Sequence, residues 1–119
     1  MAVILIVEDE MFIRQAADWT IGDLGHTTLL ASDLAGALLH LSTSSIDALF
    51  VDIGLSTLPL GGFEVANQAV KLRPDLRVLY TSGKTLDADM RDNFVGGGRF
   101  IQKPYSPAQL GFSMGELLH

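Results

Sequence analysis

Residues 3–9 read VILIVED, five aliphatic residues followed directly by two acids. A continuous aliphatic run of this kind is typical of a strand that is buried on both faces, as in a parallel sheet. Apolar residues then recur at helical spacing, at Phe12, Ala16, Trp19 and Leu24. We expect this face, including Trp19, to pack in the core, and Gly25 can end the helix. The stretch therefore predicts a strand followed by a helix.

The same alternation continues along the chain. Apolar and β-branched runs predict further strands at residues 27–31, 48–51, 78–81 and 100–102. Helical patterns lie between these strands. One helix is capped by Ser32 or Asp33 and carries Leu34, Leu38, Leu39 and Leu41. Another follows a loop with Pro59, Gly61 and Gly62, and the last begins at Ser106 and Pro107. Segment 86–95 should also be helical, although it is polar, and the glycines at 96–98 form a flexible connector. The pattern predicts an α/β domain, a doubly wound five-stranded parallel sheet with helices on both faces.

Composition narrows the class of protein. The 119 residues, of which 48% are hydrophobic, suit a single domain over 1–119. A net charge of −6 with scattered basic residues argues against direct nucleic-acid binding. The absence of cysteine fits a reducing compartment, so a cytoplasmic location is expected. No apolar run approaches the ~20 residues that span a membrane.

Polar side chains follow four of the five predicted strands. Glu8 and Asp9 follow the first strand, Asp52 the third, Ser82 the fourth and Lys103 the fifth. Because the carboxyl ends of parallel strands meet at one edge of a sheet, we expect these side chains to converge there. Carboxylates that lie within a few ångströms repel one another unless a cation or a proton compensates. The sequence therefore predicts an acidic binding site at this edge.

The chemistry of these residues favours Mg²⁺ and a phosphoryl group. Mg²⁺ is typically held by one or two carboxylates together with phosphate oxygens, whereas zinc would lack its preferred ligands. Lys103 can bind a phosphoryl oxygen, Ser82 can donate a hydrogen bond to another, and Asp52 can attack phosphorus as a nucleophile. The hypothesis is a Mg²⁺-dependent site in which Asp52 accepts a phosphoryl group.

In this order and at these separations, the strand-end motifs resemble those of the receiver domain of bacterial two-component response regulators. The motifs are Glu8-Asp9, Asp52, Thr81-Ser82-Gly83 and Lys103-Pro104. Each is a weak signal alone, but the likeness covers nearly the whole chain. It implies a CheY-like fold, which is the flavodoxin-like form of the doubly wound sheet.

The resemblance implies a phosphoacceptor and a set of metal ligands. Asp52 would be the phosphoacceptor, and Asp9 and Asp52 would bind Mg²⁺ directly. The backbone carbonyl of Gly54 would be the third protein ligand, and Glu8 would act through a water molecule.

The resemblance also implies a switch. Ser82 would move toward the phosphoryl group and Phe100 would rotate inward behind it, while Lys103 forms an ion pair and its peptide bond to Pro104 is cis. The surface of the fourth helix, fifth strand and fifth helix, including Phe100 and Tyr105, would bind a downstream protein or form a homodimer with a second copy.

Three features depart from the family pattern, and the mildest is Glu8 in place of the commoner Asp, because both supply a carboxylate. The loop after Asp52, residues 53–62, is longer than usual, which affects the position of the Gly54 carbonyl and the approach of a phosphodonor. Phe100 stands where tyrosine is frequent. It has no hydroxyl whose hydrogen bonds would differ between an inward and an outward ring position, so switching would depend on packing alone.

The leading functional hypothesis is a signalling switch rather than an enzyme. A histidine kinase or phosphotransfer protein would donate a phosphoryl group from phosphohistidine to Asp52, and the phosphorylated form would present an altered surface. The only catalysis expected is this transfer and slow self-dephosphorylation. The chain would be a single-domain regulator or a receiver from a hybrid kinase, and the start at Met1 favours the former.

Two other classes of protein share part of this pattern. An aspartyl-phosphate phosphatase of the haloacid-dehalogenase type shares the nucleophilic Asp, but it needs a second Asp two residues later, where this chain has Gly54. A flavodoxin-like cofactor binder needs a phosphate-binding loop after its first strand, and the acids at 8–10 would repel a phosphate.

Overall fold

The alternation of strands and helices is confirmed by a computed structural model, which describes residues 1–55 and 61–119. The strands are β1 (Val3–Val7), β2 (Thr27–Ala31), β3 (Ala48–Asp52), β4 (Arg77–Ser82) and β5 (Arg99–Gln102). The helices are α1 (Met11–Asp23), α2 (Leu34–Thr43), α3 (Gly61–Leu72), α4 (Ala88–Asp92) and α5 (Pro107–Leu118). No helix among the described residues is long and apolar enough to cross a bilayer.

The five strands form one parallel sheet in the order β2-β1-β3-β4-β5. The chain moves outward from β1 to β2, then returns past β1 to β3 and continues in the other direction. Strand order therefore reverses beside β1 and β3, where the carboxyl ends leave a crevice. The predicted doubly wound parallel sheet is confirmed.

The alternating side chains of the strands divide the core into two layers. One layer joins the sheet to α2 and α3, and its strand residues include Leu5, Val7, Leu49, Val51, Val78 and Tyr80. The other joins it to α1 and α5, and its strand residues include Ile4, Ile6, Ala48, Phe50, Leu79 and Ile101. Because both faces are covered, β1 is apolar throughout and β3 is apolar up to its last residue, Asp52, as their sequences predict.

Local signals define the helix ends. Asp33 caps α2 by accepting a hydrogen bond from the Gly36 N–H. Ser106 forms a reciprocal capping box with Gln109 at the start of α5. Gly25 adopts a φ of 92°, the left-handed conformation expected where α1 ends.

The predicted core face of α1 is wrong. Phe12 and Trp19 are 75% and 66% exposed, whereas Ala17 and Ile21 are buried against the sheet. Apolar residues lie on two sides of this helix, so periodicity alone permits either orientation. The side on which the smaller Ala17 lies is the one that fits against β1 and α5.

The segment between β4 and β5 is less helical than expected. Only Ala88–Asp92 is helical within the predicted range 86–95, after a cap at Asp87. Strand β4 extends one residue beyond its predicted end, so Ser82 is its last residue. Pro59 and most of the longer loop after Asp52 lie outside the described residues.

Candidate functional site

Parallel pairing carries the predicted polar side chains to one edge of the sheet. Backbone hydrogen bonds continue beyond the strand ends and hold the flanking residues in line: the Glu8 N–H donates to the Ala31 carbonyl at 3.1 Å, and the Lys103 N–H donates to the Ser82 carbonyl at 2.9 Å. Asp52 ends β3, the strand between β1 and β4. The side chains therefore converge because of the sheet topology, although they are far apart in sequence.

Lys103 lies between two carboxylates. Its Nζ donates to Glu8 Oε1 at 2.6 Å and to Asp52 Oδ2 at 3.1 Å. Glu8 and Asp52 are almost fully buried, at 4% and 6% exposure. A positive charge shared by two buried carboxylates offsets their mutual repulsion, and these charge-assisted hydrogen bonds fix the geometry of the site.

Asp9 joins Glu8 and Asp52 in an acidic cluster. One carboxylate oxygen from each of the three residues lies within 4.8 Å of one from each of the other two. Among the described residues, these three side chains form the group that could bind a metal ion together. Three convergent oxygen ligands suit a hard cation such as Mg²⁺, which prefers carboxylate and phosphate oxygens. The donor set present therefore fits this ion.

Burial and charge shift the titration of the ion pair. Burial raises the pKa of Glu8 to about 7, since the hydrogen bond from Lys103 only partly offsets it and the negative Asp52 adds to it. Burial lowers the pKa of Lys103, but the hydrogen bond to Glu8 and the two negative charges outweigh it, and the net pKa is raised. Lys103 is therefore a permanent cation in this site at neutral pH.

The described residues that flank the loop after Asp52, at 53–54 and at 62, pack closely against the end of β3. The Gly54 N–H donates to Asp52 Oδ1 at 3.2 Å, and the Gly62 N–H donates to the Ile53 carbonyl at 2.8 Å. A Cβ on Gly62 would overlap the Asp52 carbonyl and lie 2.5 Å from Ile53 Cα. Glycine at the start of α3 therefore allows the helix to approach the end of β3.

The residues of the predicted switch lie on neighbouring strands. Ser82 is buried, and its Oγ accepts a hydrogen bond from the Lys84 N–H at 3.0 Å. Phe100 is half-buried, packs in the layer with α2 and α3, and lies opposite Tyr80. Tyr105 lies on the other face of the sheet, where its ring meets Phe50 edge to face at 5.8 Å.

One residue at this edge, Arg14, was not singled out from the sequence. The Arg14 guanidinium donates to the Glu8 carbonyl at 2.8 Å and so ties α1 to the end of β1. Tyr105 lies close enough to the site that burial, together with the charges of Glu8 and Asp52, raises its pKa to about 12. The peptide bond between Lys103 and Pro104 is cis, as the sequence resemblance predicted. Arg14 could have been identified from its place in the first turn of α1, from which a long basic side chain can reach back to the end of β1.

Curated relatives and solved structures resemble the chain over most of its length. It is 29% identical over 108 residues to the nitrogen assimilation regulatory protein NtrX of Azorhizobium caulinodans, covering 90% of this chain and 24% of the relative. NtrX from Brucella abortus, solved with ATP, superposes with a TM-score of 0.89 and 30% identity over 98% of this chain and 27% of that chain. The chain thus spans about a quarter of the length of these relatives.

Two shorter solved chains match nearly end to end. A receiver protein from Sinorhizobium medicae superposes with a TM-score of 0.88 and 29% identity, covering 98% of this chain and 94% of that chain. The chemotaxis protein CheY4 of Vibrio cholerae gives a TM-score of 0.90 over 99% of both chains, but at 24% identity it shows the shared fold only.

A family model, the response regulator receiver domain, matches residues 4–112. This span contains all five strands except the first residue of β1, and each of the polar residues gathered at the sheet edge. The fold, the cluster of Glu8, Asp9 and Asp52, and the position of Lys103 all agree with that match. The chain therefore belongs to the response regulator receiver domain family of two-component systems.

Proposed function

We propose that this domain, residues 1–119, is a phosphorylation switch in which Asp52 accepts a phosphoryl group from the phosphohistidine of a histidine kinase or phosphotransfer protein. The observation that carries the proposal is the geometry of Lys103, which contacts both Asp52 and Glu8 beside Asp9. A carboxylate oxygen of Asp52 attacks phosphorus, the phosphorus–nitrogen bond breaks, and the imidazole leaves.

Each side chain of the site supports this transfer. Asp9, Asp52 and the Gly54 carbonyl would hold Mg²⁺, with Glu8 contributing through water, and the bound ion would neutralise the negative charge of the carboxylates and phosphoryl oxygens. Lys103 is already beside Asp52 and can transfer one of its hydrogen bonds to a phosphoryl oxygen. Ser82 can donate to another oxygen once its hydroxyl turns away from Lys84.

The output is a change of binding surface. We propose that movement of Ser82 and Phe100 alters the surface formed by α4, β5 and α5, to which Tyr105 also belongs, where a downstream protein or a second copy binds. The domain is a switch whose only catalysis is its own phosphorylation and slow dephosphorylation. A cytoplasmic location is part of the same proposal.

The test measures phosphorylation of the chain directly. With Mg²⁺ and acetyl phosphate, intact mass spectrometry should detect one labile phosphoryl group on the wild type and none on Asp52→Asn. Asp47→Asn is the matched control, because Asp47 immediately precedes β3 and lies at the opposite edge of the sheet from Asp52. Equal labelling of Asp52→Asn, or multiple turnover of a phosphomonoester by the wild type, would refute the proposal.

A further inference from the structure

Tyr80 connects β4 to the segment that precedes β5. Its side chain is fully buried and lies on the same face of β4 as Ser82, because side chains alternate along a strand. A buried tyrosine hydroxyl requires a hydrogen-bond partner. Here the oxygen accepts a hydrogen bond from the Val95 N–H at 3.0 Å. A core side chain thus fixes a backbone group of the segment between α4 and β5.

Aromatic rings form a contiguous cluster around Tyr80. Phe94 stacks on Tyr80, with 4.3 Å between ring centroids and 17° between planes, and Phe100 stacks against Phe94 at 6.3 Å. Phe63 of α3 contacts Tyr80 at 5.6 Å and Phe94 at 6.2 Å. Rings at these separations attract one another. Phe94 therefore links Tyr80 to Phe100, the aromatic residue of the proposed switch.

The glycines before β5 complete the contact with Tyr80. A Cβ on Gly98 would lie 2.8 Å from Tyr80 Cε2 and 3.0 Å from the Val95 carbonyl oxygen. A Cβ on Gly96 would meet no atom within 4 Å. Residues 94–98 are thus held on Tyr80 by the ring of Phe94, the N–H of Val95 and the close approach of Gly98.

This contact surface adjoins the site. The Ser82 hydroxyl accepts a hydrogen bond from the Lys84 N–H, and rotation of the Ser82 side chain toward a phosphoryl group on Asp52 would break this bond. A cavity of about 190 Å³ is lined by both Ser82 and Phe63, so the space beside the aromatic cluster changes when Ser82 moves. The neighbouring α4 is only five residues long, and such a short helix contributes little stability of its own.

We propose that Tyr80 couples the site to residues 94–98. When Ser82 turns toward a phosphoryl group, the aromatic cluster repacks and the hydrogen bond from Val95 to Tyr80 is lost. Residues 94–98, rather than α4, are then the part of this surface that changes most. This inference rests on the proposed function and specifies how the site is connected to the binding surface.

Hydrogen exchange measured by mass spectrometry tests the coupling. Without a phosphodonor, Tyr80→Phe should accelerate exchange of the Val95 amide about fivefold, as the loss of one neutral hydrogen bond predicts. With Mg²⁺ and acetyl phosphate, exchange at residues 94–98 should rise in the wild type and rise less in Tyr80→Phe. The two proteins are compared at equal phosphorylated fraction, which intact mass measures in the same samples.

Glycine variants provide an independent comparison. Gly98→Ala should accelerate exchange in residues 94–98 because its Cβ displaces the Tyr80 ring, whereas Gly96→Ala should leave exchange unchanged. If the wild type is phosphorylated but exchange at 94–98 does not change, the coupling is wrong and the proposed function stands. If the wild type is not phosphorylated, both are wrong. Equal exchange in Tyr80→Phe and the wild type in both states also overturns the coupling.

Discussion

Lys103 stabilises two carboxylates that would otherwise repel each other in a buried site. Its ammonium group contacts Glu8 and Asp52, and all three groups are largely withdrawn from water. Removing one partner of such a buried pair leaves an uncompensated charge, which costs more than the pair gains. At the scale of single residues, the stability of the site therefore depends on the protonation of its carboxylates and on the cations that contact them.

Glu8 should make the metal-free chain less stable as the pH rises. Its folded-state pKa of about 7 exceeds its ordinary value of 4.5, so the folded chain binds the proton more tightly between these values. The free energy of unfolding should fall across this window, by up to roughly 3 kcal/mol. Urea denaturation at a series of values from about pH 4 to about pH 8, in the presence of a chelator, measures the free energy of unfolding across this window.

The variant Glu8→Gln isolates the contribution of this carboxyl from those of the other ionisable groups of the chain. The glutamine cannot ionise, so the decline in stability between the two pKa values should be smaller in the variant. Identical pH dependence in the variant and the wild type would show that Glu8 does not have a raised pKa.

Gly62 should be required for the close approach of α3 to Asp52. Gly62→Ala forces its new methyl group against the Asp52 carbonyl, and overpacking of this kind typically costs about 1–3 kcal/mol. We expect a lower unfolding midpoint in urea and slower phosphorylation by acetyl phosphate. Gly115→Ala is the control, because nothing lies within 4 Å of its Cβ. Equal effects of the two substitutions would contradict the packing at Gly62.

At the scale of elements, α1 shows how a helix with two apolar sides is oriented by its neighbours. Ala17 and Ile21 pack against the sheet and α5, while Phe12 and Trp19 face solvent. The small Ala17 lets the helix lie close to β1, which the larger aromatic rings would prevent. The orientation thus depends on the fit between surfaces and not on the total hydrophobicity of a face.

The exposure of Trp19 gives a direct test of this orientation. Trp19→Gln should change the free energy of unfolding by no more than about 0.5 kcal/mol, as is usual for surface positions. Ile21→Ala should cost about 2–5 kcal/mol, because it leaves a cavity under the helix. Chemical denaturation monitored by circular dichroism measures both variants. The reverse ranking would mean that α1 is rotated on the sheet.

At the scale of the whole molecule, the sheet topology gathers residues that are 95 positions apart in sequence, Glu8 and Lys103, into one contact. The acidic cluster is therefore formed only in the folded chain. A cation that binds this cluster must stabilise the fold, because the unfolded chain offers no comparable site.

Magnesium should raise the global stability of the chain. At a concentration about 100-fold above the dissociation constant, the expected gain is about 2.7 kcal/mol. The gain should be largely lost in Asp9→Asn and retained in Asp23→Asn, an acidic residue at the end of α1 that is not part of the cluster. Thermal unfolding with Mg²⁺ and with a chelator measures the increment for each protein. Equal gains in the two variants would place the ion elsewhere.

The sequence by itself determined the strands, their parallel arrangement and the edge at which the polar residues meet. Buried parallel strands need continuous aliphatic runs, and a polar residue directly after such a run must lie at the sheet edge. Glu8, Asp52, Ser82 and Lys103 could thus be located before any coordinates were known. These signals are local, so they can be identified from the sequence alone.

Only the tertiary structure decided which face of α1 is buried, how short α4 is, and what Tyr80 contacts. Each of these depends on which surfaces meet across the sheet, and residues such as Tyr80 and Val95 come together only when distant segments pack. The same holds for the raised pKa of Glu8, since burial and neighbouring charges produce it. Packing and desolvation are properties of the folded chain, and local sequence patterns do not contain them.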